Sequence, residues 1–216
     1  MRILVTGGSG VLGRAFAPRA KAEGHQVRAP GRADLDLFSP AAVAAAVADA
    51  DAVLHLASRI QPLDRLDQPR AWRDNDRLRA QASAVLVDAA LAAGVMTYVQ
   101  PTVTFVCPAG QPATEDTPVG DVPEILRSAL AAERQAARFA AAGRRGVALR
   151  LGLLDGPGTG HDEPSPAMGA SVDVRDAAAA LLAALAVPSG IYNVCRTGGQ
   201  VSNRRFREIA RWQPAW

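Results

Sequence analysis

The chain has 216 residues, of which 49% are hydrophobic and 21% are charged, a balance typical of one ordinary globular domain. Its formal net charge of +3 is too small to indicate binding to nucleic acid or to a membrane surface. The only cysteines are Cys107 and Cys195, which favours a reducing compartment over a disulfide framework. Because the sequence also shows no apolar leader and no long apolar run, we expect a cytoplasmic protein.

The chain begins with a predicted buried strand at residues 2–6, a glycine-rich turn at 7–13 and a helix over 11–23. Glycine allows a positive φ and lets the backbone approach a pyrophosphate closely. The start of a helix offers N–H groups without partners and a partial positive charge. A strand, a glycine turn and a helix in this order therefore predict a dinucleotide site. The residues expected around its phosphates are Gly7, Ser9, Gly10, Val11, Leu12 and Gly13.

Strands and helices continue to alternate along the rest of the chain. In chain order we predict strand 26–29, helix 39–49, strand 52–56, helix 69–93, strand 96–100, helix 123–142, strand 147–151, helix 173–186, strand 191–194 and helix 202–211. Proline and glycine indicate loops at 107–123 and 156–168. This alternation predicts an α/β fold, a Rossmann-type doubly wound parallel sheet with helices on both faces. We expect one such domain over residues 1–216, with small substrate-side elements around 155–172 and 195–216.

Several segments share the motifs of one enzyme family. They are TGGSGVLG at 6–13, DLDL at 34–37, DAVLHLAS at 51–58, RLGLLDGPG at 150–158, VDVRDAA at 172–178 and GIYNV at 190–194. In this order they resemble the extended short-chain dehydrogenases/reductases, the group of nucleotide-sugar epimerases and dehydratases. Asn75 is similar to the asparagine that opens the long fourth helix of that family. The resemblance implies an NAD(P)-binding enzyme with a small-molecule substrate, and a homodimer formed through paired helices.

Two features depart from the pattern of that family. Its members carry a serine or threonine after the fourth strand and a Tyr-x-x-x-Lys pair on the next helix, with the tyrosine as general acid or base. Here no tyrosine stands four residues before the only lysine, Lys21, and alignment places Val103, Ile125 and Ala129 at the three positions. The segment 158–171 is also far shorter than the usual substrate lobe. We therefore expect a much reduced C-terminal substrate lobe and a small or open pocket.

The end of the second strand bears on the choice of cofactor. In the family, a carboxylate there holds a free ribose hydroxyl, whereas an arginine favours the additional phosphate of NADP. Here the strand end reads RAPGR at 28–32, with no acid until Asp34, while Arg28 and Arg32 are available, so we expect NADP, with NAD as the alternative. The competing interpretation is that Arg28 and Arg32 are solvated and contact no phosphate. The other cofactor contacts implied by the resemblance are Asp36 and Leu37 beside the adenine, Leu56, Ala57 and Ser58 along the middle, and Leu153 near the nicotinamide.

The catalytic candidates are Thr102 and Thr104, which flank Val103 at the end of the fourth strand. Their hydroxyls could hydrogen-bond a carbonyl oxygen, although a capping hydroxyl is the alternative. His161 could also reach the site, with a plain loop histidine as the alternative, and Glu115 and Asp116 are candidates for proton transfer, with a solvated turn as the alternative. We interpret His55 as a core histidine and Cys107 as an ordinary thiol. No pattern of these residue types has metal-ligand spacing.

Three hypotheses about function remain open. The first, which we prefer, is an NADP(H)-dependent enzyme that acts on a small-molecule carbonyl or alcohol with a non-standard acid–base set. The second is a redox-silent or repurposed family member, which carries out a cyclisation, dehydration or isomerisation or binds the cofactor as a sensor. The third is a structural subunit that keeps only the fold. The intact glycine turn argues against the third hypothesis, because a structural relic has no need of close approach to a pyrophosphate.

Overall fold

The structure is a computed structural model that describes residues 1–61, 65, 67–108, 112–164 and 169–216. Its strands are β1 (Arg2–Thr6), β2 (Gln26–Arg28), β3 (Ala52–His55), β4 (Thr97–Val103), β5 (Arg145–Leu151), β6 (Leu153–Asp155), β7 (Ser171–Asp173) and β8 (Gly190–Val194). Six of them form one parallel sheet in the order β2-β1-β3-β4-β5-β8. The other two, β6 and β7, form a separate parallel pair, which we did not predict.

The helices are α1 (Val11–Ala22), α2 (Pro40–Val47), α3 (Arg73–Arg77), α4 (Ser83–Ala92), α5 (Glu124–Ala141), α6 (Val174–Ala183) and α7 (Arg204–Ala210). A 3₁₀ turn at Pro69–Trp72 leads into α3, and a π-helical turn at Leu78–Ala82 joins α3 to α4. The helical run predicted for 69–93 is therefore confirmed, but it contains a π turn. Among the described residues, no helix is both long and apolar enough to cross a lipid bilayer.

Hydrophobic clusters cover both faces of the large sheet. On one face Phe16 of α1 and Leu181 of α6 pack against the strands, and on the other face Leu86 of α4 and Phe139 of α5 do so. Alternate strand residues feed the two clusters, as Val5 and Leu4 of β1 show. The predicted doubly wound arrangement is thus confirmed, because a parallel sheet is stable only when both of its faces are covered.

Local capping explains several helix starts. The Ser39 Oγ accepts a hydrogen bond from the Ala42 N–H at 3.4 Å, and Pro40 occupies the first turn of α2, as predicted. Asp173 caps α6 by accepting from the Arg175 N–H at 2.7 Å. Before α7, the Ser202 Oγ accepts from the Arg204 N–H at 3.3 Å, and Asn203 holds the N-cap position.

The fourth strand does not end at Pro101, contrary to our prediction. It continues to Val103 and pairs with β5 along its whole length. However, β3 pairs with β4 only as far as Val99. Beyond that point β4 has one open edge, where a proline without an N–H is tolerated. This extension carries Thr102 and Val103 beyond the end of β3, at the carboxyl edge of the sheet.

Candidate functional site

The strand order reverses at β1, which has β2 on one side and β3 on the other. Ligands of open α/β sheets bind at such a switch point, outside the carboxyl ends of the strands. A cleft of ≈ 1290 Å³ opens there, and Thr102 lines it. Apart from Arg28, the residues predicted to contact the cofactor also line it, namely Gly7, Ser9, Gly10, Val11, Leu12, Gly13, Arg32, Asp36, Leu37, Leu56, Ala57, Ser58 and Leu153.

The glycine turn is packed too tightly for side chains. Gly7 has a φ of +73°, and a Cβ atom there would lie 2.6 Å from the Cα of Ala57. A Cβ atom on Gly13 would lie 2.5 Å from the carbonyl oxygen of Gly7. The turn is closed by the Gly10 N–H, which donates to that same oxygen at 3.0 Å. Glycine at these positions therefore lets β1, the start of α1 and the chain after β3 meet at one point.

The start of α1 is left open to a ligand. Gly10 is its N-cap residue, and in this described segment neither a side-chain cap nor an acidic residue occupies the first turn. The backbone N–H groups of Val11 and Leu12 have no partner within the helix, and the helix dipole makes this end positive. A cradle that excludes side chains and presents amides fits a diphosphate.

The two arginines predicted to hold a ribose phosphate lie in different places. Arg32 lines the cleft. Arg28 does not, because its Nη2 donates to the carbonyl oxygen of Ala46 and lies 3.4 Å from an Asp49 oxygen, at the end of α2. The expectation that Arg28 assists is therefore wrong. The nearby Asp34 carboxylate accepts from the Gly31 N–H at 3.0 Å and so shapes the loop that carries Arg32.

His55 is a structural residue, as expected, although it also borders the cleft. Its Nε2 lies 3.0 Å from the Leu78 carbonyl oxygen, which can only accept, so Nε2 carries the proton. The Thr6 hydroxyl, 2.7 Å away, then donates to Nδ1. Burial lowers the pKa of His55 to about 4, more than the bond to Leu78 raises it. The neutral ring thus joins the ends of β1 and β3 to the π turn.

Hydrocarbon occupies the part of the cleft where the family carries its acid–base residues. Val103 and Ile125 both line the cleft, and Ala129 is fully buried on α5. Neither of the cleft-lining side chains can donate a proton. Thr104 is buried and, among the described residues, is not part of the cleft lining. Its hydroxyl is therefore kept away from a bound substrate, and Thr102 remains the catalytic candidate of the two.

The hydroxyl of Thr102 is already engaged. It donates to Glu133 Oε1 at 3.0 Å, and the same carboxylate accepts from Nε and Nη2 of Arg150, each at 2.8 Å. The Glu133 and Arg150 side chains are 7% and 3% exposed, so this is a buried ion pair beneath the cleft. Because its proton points toward Glu133, Thr102 can offer a lone pair to a ligand but is poorly placed as an acid.

The other titratable candidates have mixed outcomes. The prediction of a solvated turn is wrong for Glu115, whose 3% exposed side chain lies near Arg205 and accepts from the Asn193 N–H at 2.9 Å. Asp116 is exposed, as expected. His161 lies on a turn that borders the cleft. Burial is the largest influence on Cys107 and raises the pKa of its thiol, as expected for an unreactive cysteine.

Large side chains that were not predicted also line the cleft, among them Trp72, Arg79 and Phe105. A signal for one of them was present. Trp72, Arg79 and Leu86 are spaced seven residues apart on the predicted long helix, and all three are buried. An arginine in register with a buried helical stripe is unusual and should have marked Arg79.

This chain is similar to one family model and to individual reductases. The model of the NAD dependent epimerase/dehydratase family matches residues 3–172. A 3-diazoavenalumate denitrifying reductase of Streptomyces sp is 35% identical over 181 residues, covering 74% of this chain and 59% of the relative. A dTDP-4-dehydrorhamnose reductase of Streptomyces griseus is 31% identical over 236 aligned positions, covering 97% of this chain and 75% of the relative. The chain thus spans about three fifths of the first relative and three quarters of the second.

Solved structures share the fold. The RMD protein of Pseudomonas aeruginosa, complexed with NADPH, superposes with a TM-score of 0.80 at 20% identity, over 99% of this chain and 94% of the other. The UDP-glucose 4-epimerase of Thermus thermophilus, complexed with NAD, superposes with a TM-score of 0.76 at 22% identity, over 99% and 85%. With the family model matching most of the chain, its glycine turn included, this protein belongs to the NAD dependent epimerase/dehydratase family.

Proposed function

We propose that this chain is an NADP(H)-dependent reductase that delivers hydride to a small molecule without a tyrosine–lysine pair. The observation that carries the proposal is the single cleft at the sheet's switch point. A diphosphate cradle at Gly7 and Gly13, a cation at Arg32, and a hydrocarbon wall at Val103 and Ile125 all face this cleft. Gly7, Gly13 and Arg32 would hold the cofactor, and the wall formed by Val103 and Ile125 would border the reacting part of the substrate.

Two observations support NADP over NAD. Arg32 is the cation on the loop that follows β2, and it faces the cleft. Asp34, the first acid after β2, is turned toward the Gly31 N–H and stabilises the loop. A guanidinium suits a ribose phosphate, whereas a ribose diol is normally held by a carboxylate at this place.

The substrate must need little help from a protein acid. A bound reduced nicotinamide would supply hydride, a hydrogen nucleus with two electrons, so a carbonyl oxygen would still need a separate proton. Val103 and Ile125 cannot donate a proton, and the Thr102 hydroxyl already donates its hydrogen bond to Glu133. A carbonyl substrate would therefore take the proton for its oxygen from solvent at the open side of the cleft, with Thr102 only orienting it.

A diazo compound is the second substrate class, and the hydrocarbon wall favours it. When an aryl diazonium ion accepts hydride, the new C–H bond uses the hydride pair, the C–N bond breaks and its pair leaves with dinitrogen. The charges balance and no proton is needed. One relative is named as a denitrifying reductase of a diazo compound and is 35% identical to this chain, which supports this class.

The proposal is tested by binding and turnover measured separately. Calorimetric titration should show that NADPH binds more tightly than NADH. Loss of the reduced-nicotinamide absorbance should then follow with aryl diazonium salts or with aldehydes and ketones. Gly10→Asp, which places a carboxylate at the start of α1, should abolish binding, whereas Gly120→Asp, which adds the same carboxylate in open space outside the cleft lining, should retain it. If the wild-type protein binds neither dinucleotide, the proposal is wrong.

The competing hypothesis is that the protein binds the cofactor but neither oxidises nor reduces a substrate. The hydrocarbon wall at Val103 and Ile125 also motivates this hypothesis. Wild-type protein that binds NADPH but reduces no compound of either class would support it. The double variant Ile125→Tyr and Ala129→Lys distinguishes a lost site from a repurposed one. Appearance of carbonyl reduction in this variant would mean that the remaining cleft is still competent for hydride transfer. Because Ala129 is fully buried, circular dichroism must first show that the variant folds.

A further inference from the structure

The cleft contains a buried cation that the proposed cofactor site does not use. Arg79 is 6% exposed, and it lines the cleft. Within the described part of the chain, no carboxylate lies within 4.0 Å of its guanidinium. Burial lowers the pKa of Arg79 to about 10, and Asp76 only partly opposes this effect. The side chain therefore carries a positive charge at neutral pH in a place where a charge is costly to bury.

The backbone around Arg79 is held from both sides. The carbonyl oxygen of the preceding Leu78 accepts a hydrogen bond from His55 at 3.0 Å. The carbonyl oxygen of Arg79 itself accepts one from the Ser83 hydroxyl. Both contacts fall within the π-helical turn, a form that occurs mostly as single turns and often at functional sites. A fixed backbone places the guanidinium against the cleft before any ligand binds.

Part of the cleft lining is apolar and offers no hydrogen bonds to a sugar. Trp72, Val103, Phe105, Ile125 and Leu126 line the same cleft as Arg79. Of the other arginines that border it, Arg32 is assigned to the cofactor, Arg59 lies 3.3 Å from an Asp74 oxygen, and Arg77 lies over the Phe38 ring at 4.3 Å. A nucleotide sugar would need several donors for its second diphosphate. A single buried guanidinium in a cleft with apolar lining instead suits a ligand that carries one carboxylate on an otherwise apolar molecule.

We infer that Arg79 binds the carboxylate of an aryl or similarly apolar acid, which is the substrate of this cleft. The inference rests on the proposed function, because it names the substrate class of the same site. Arg79 is then a substrate-binding residue, which takes no part in proton or hydride transfer. A planar acid could place its ring against Trp72 and Phe105 while its carboxylate accepts two hydrogen bonds from the guanidinium.

The test uses trans-cinnamate and its uncharged analogue cinnamamide as probes. Titration by calorimetry, with NADPH present, should show that wild-type protein binds the acid at least about tenfold more tightly than the amide. Arg79→Met should lose this preference. Arg79→Lys keeps the positive charge but not the two parallel N–H donors of the guanidinium, and it should retain part of the preference. Arg73→Met removes an exposed arginine from the same helical run outside the cleft lining, and it should leave the preference unchanged.

Several outcomes would overturn the inference. Equal binding of the acid and the amide to wild-type protein would do so without any variant, even if Arg79→Met fails to fold. Persistence of the preference in a folded Arg79→Met protein would do so as well. If Arg79→Met weakens NADPH as much as cinnamate, the arginine serves the cofactor instead. Wild-type protein that binds NADPH but ignores both probes contradicts this inference alone, whereas failure to bind NADPH contradicts the proposed function.

Discussion

The Cα of Ala57 lies 2.6 Å from the point that a Cβ atom on Gly7 would occupy, so the chain after β3 fills the space beside the glycine turn. This contact joins two segments that are fifty residues apart in the sequence. It brings the diphosphate cradle and the middle of the cleft into one rigid unit. The contact therefore explains why the turn needs glycine for packing as well as for backbone conformation.

Gly7→Ala should destabilise the fold and weaken dinucleotide binding. The alanine would have to keep a φ of +73° and would clash with Ala57. Gly24→Ala is the matched control, since Gly24 has a φ of +79° and open space around it. Urea unfolding should show a loss of about 1–2 kcal/mol for Gly24→Ala from backbone strain. Gly7→Ala should lose a further 1–3 kcal/mol, roughly, from overpacking, and equal losses would refute the packing argument.

Arg32→Ala should reduce the affinity for NADPH by about tenfold and leave that for NADH unchanged, because it removes a charge-assisted contact to the ribose phosphate. Arg28→Ala should change neither affinity, since its guanidinium is directed to Ala46 and Asp49. Calorimetric titration of both variants with both cofactors measures these effects. A selective loss of NADPH affinity in Arg28→Ala would contradict the placement of the two arginines.

Glu133→Gln should lower the free energy of unfolding by about 3–5 kcal/mol, because it leaves the Arg150 guanidinium buried without its counter-ion. Glu208→Gln, which breaks the exposed pair with Arg204, should cost at most about 1 kcal/mol. The double variant Glu133→Leu and Arg150→Met should recover much of the loss, since no charge is then left in the interior. Chemical denaturation of the three variants measures these losses in the free energy of unfolding. Equal losses in the two single variants would contradict the prediction.

His55 should make folding sensitive to acid. Its pKa is about 4 in the folded chain and 6.5 when unfolded, so the unfolded chain binds the proton more readily. Its contribution is therefore complete above pH 6.5 and is lost as the pH falls toward 4, by about 3 kcal/mol in all. Unfolding at several pH values should show a shallower acid loss for His55→Gln than for wild type. His25→Gln, near the chain start, should keep the wild-type slope.

Sequence alone was sufficient for the alternating fold and the glycine turn. Both depend on short-range requirements: apolar runs that a sheet covered on both faces must bury, and glycines where the chain turns sharply into α1. The same local patterns carried the family resemblance, and they placed Val103 and Ile125 where the cleft now shows hydrocarbon. The absence of the Tyr-x-x-x-Lys pair was likewise visible in the sequence.

Tertiary structure decided which polar side chains face the cleft. The Thr102 hydroxyl donates a hydrogen bond to Glu133, 31 residues away, and Glu115 accepts one from the N–H of Asn193, 78 residues away. Arg32 lines the cleft, whereas the nearby Arg28 reaches the end of α2 instead. In the sequence, Arg79 is one of many arginines. In the folded chain, the π turn places it at the cleft. Such partners are set by the packing of distant elements, which local periodicity does not encode, so the chemistry of the cleft emerged only when the chain was folded.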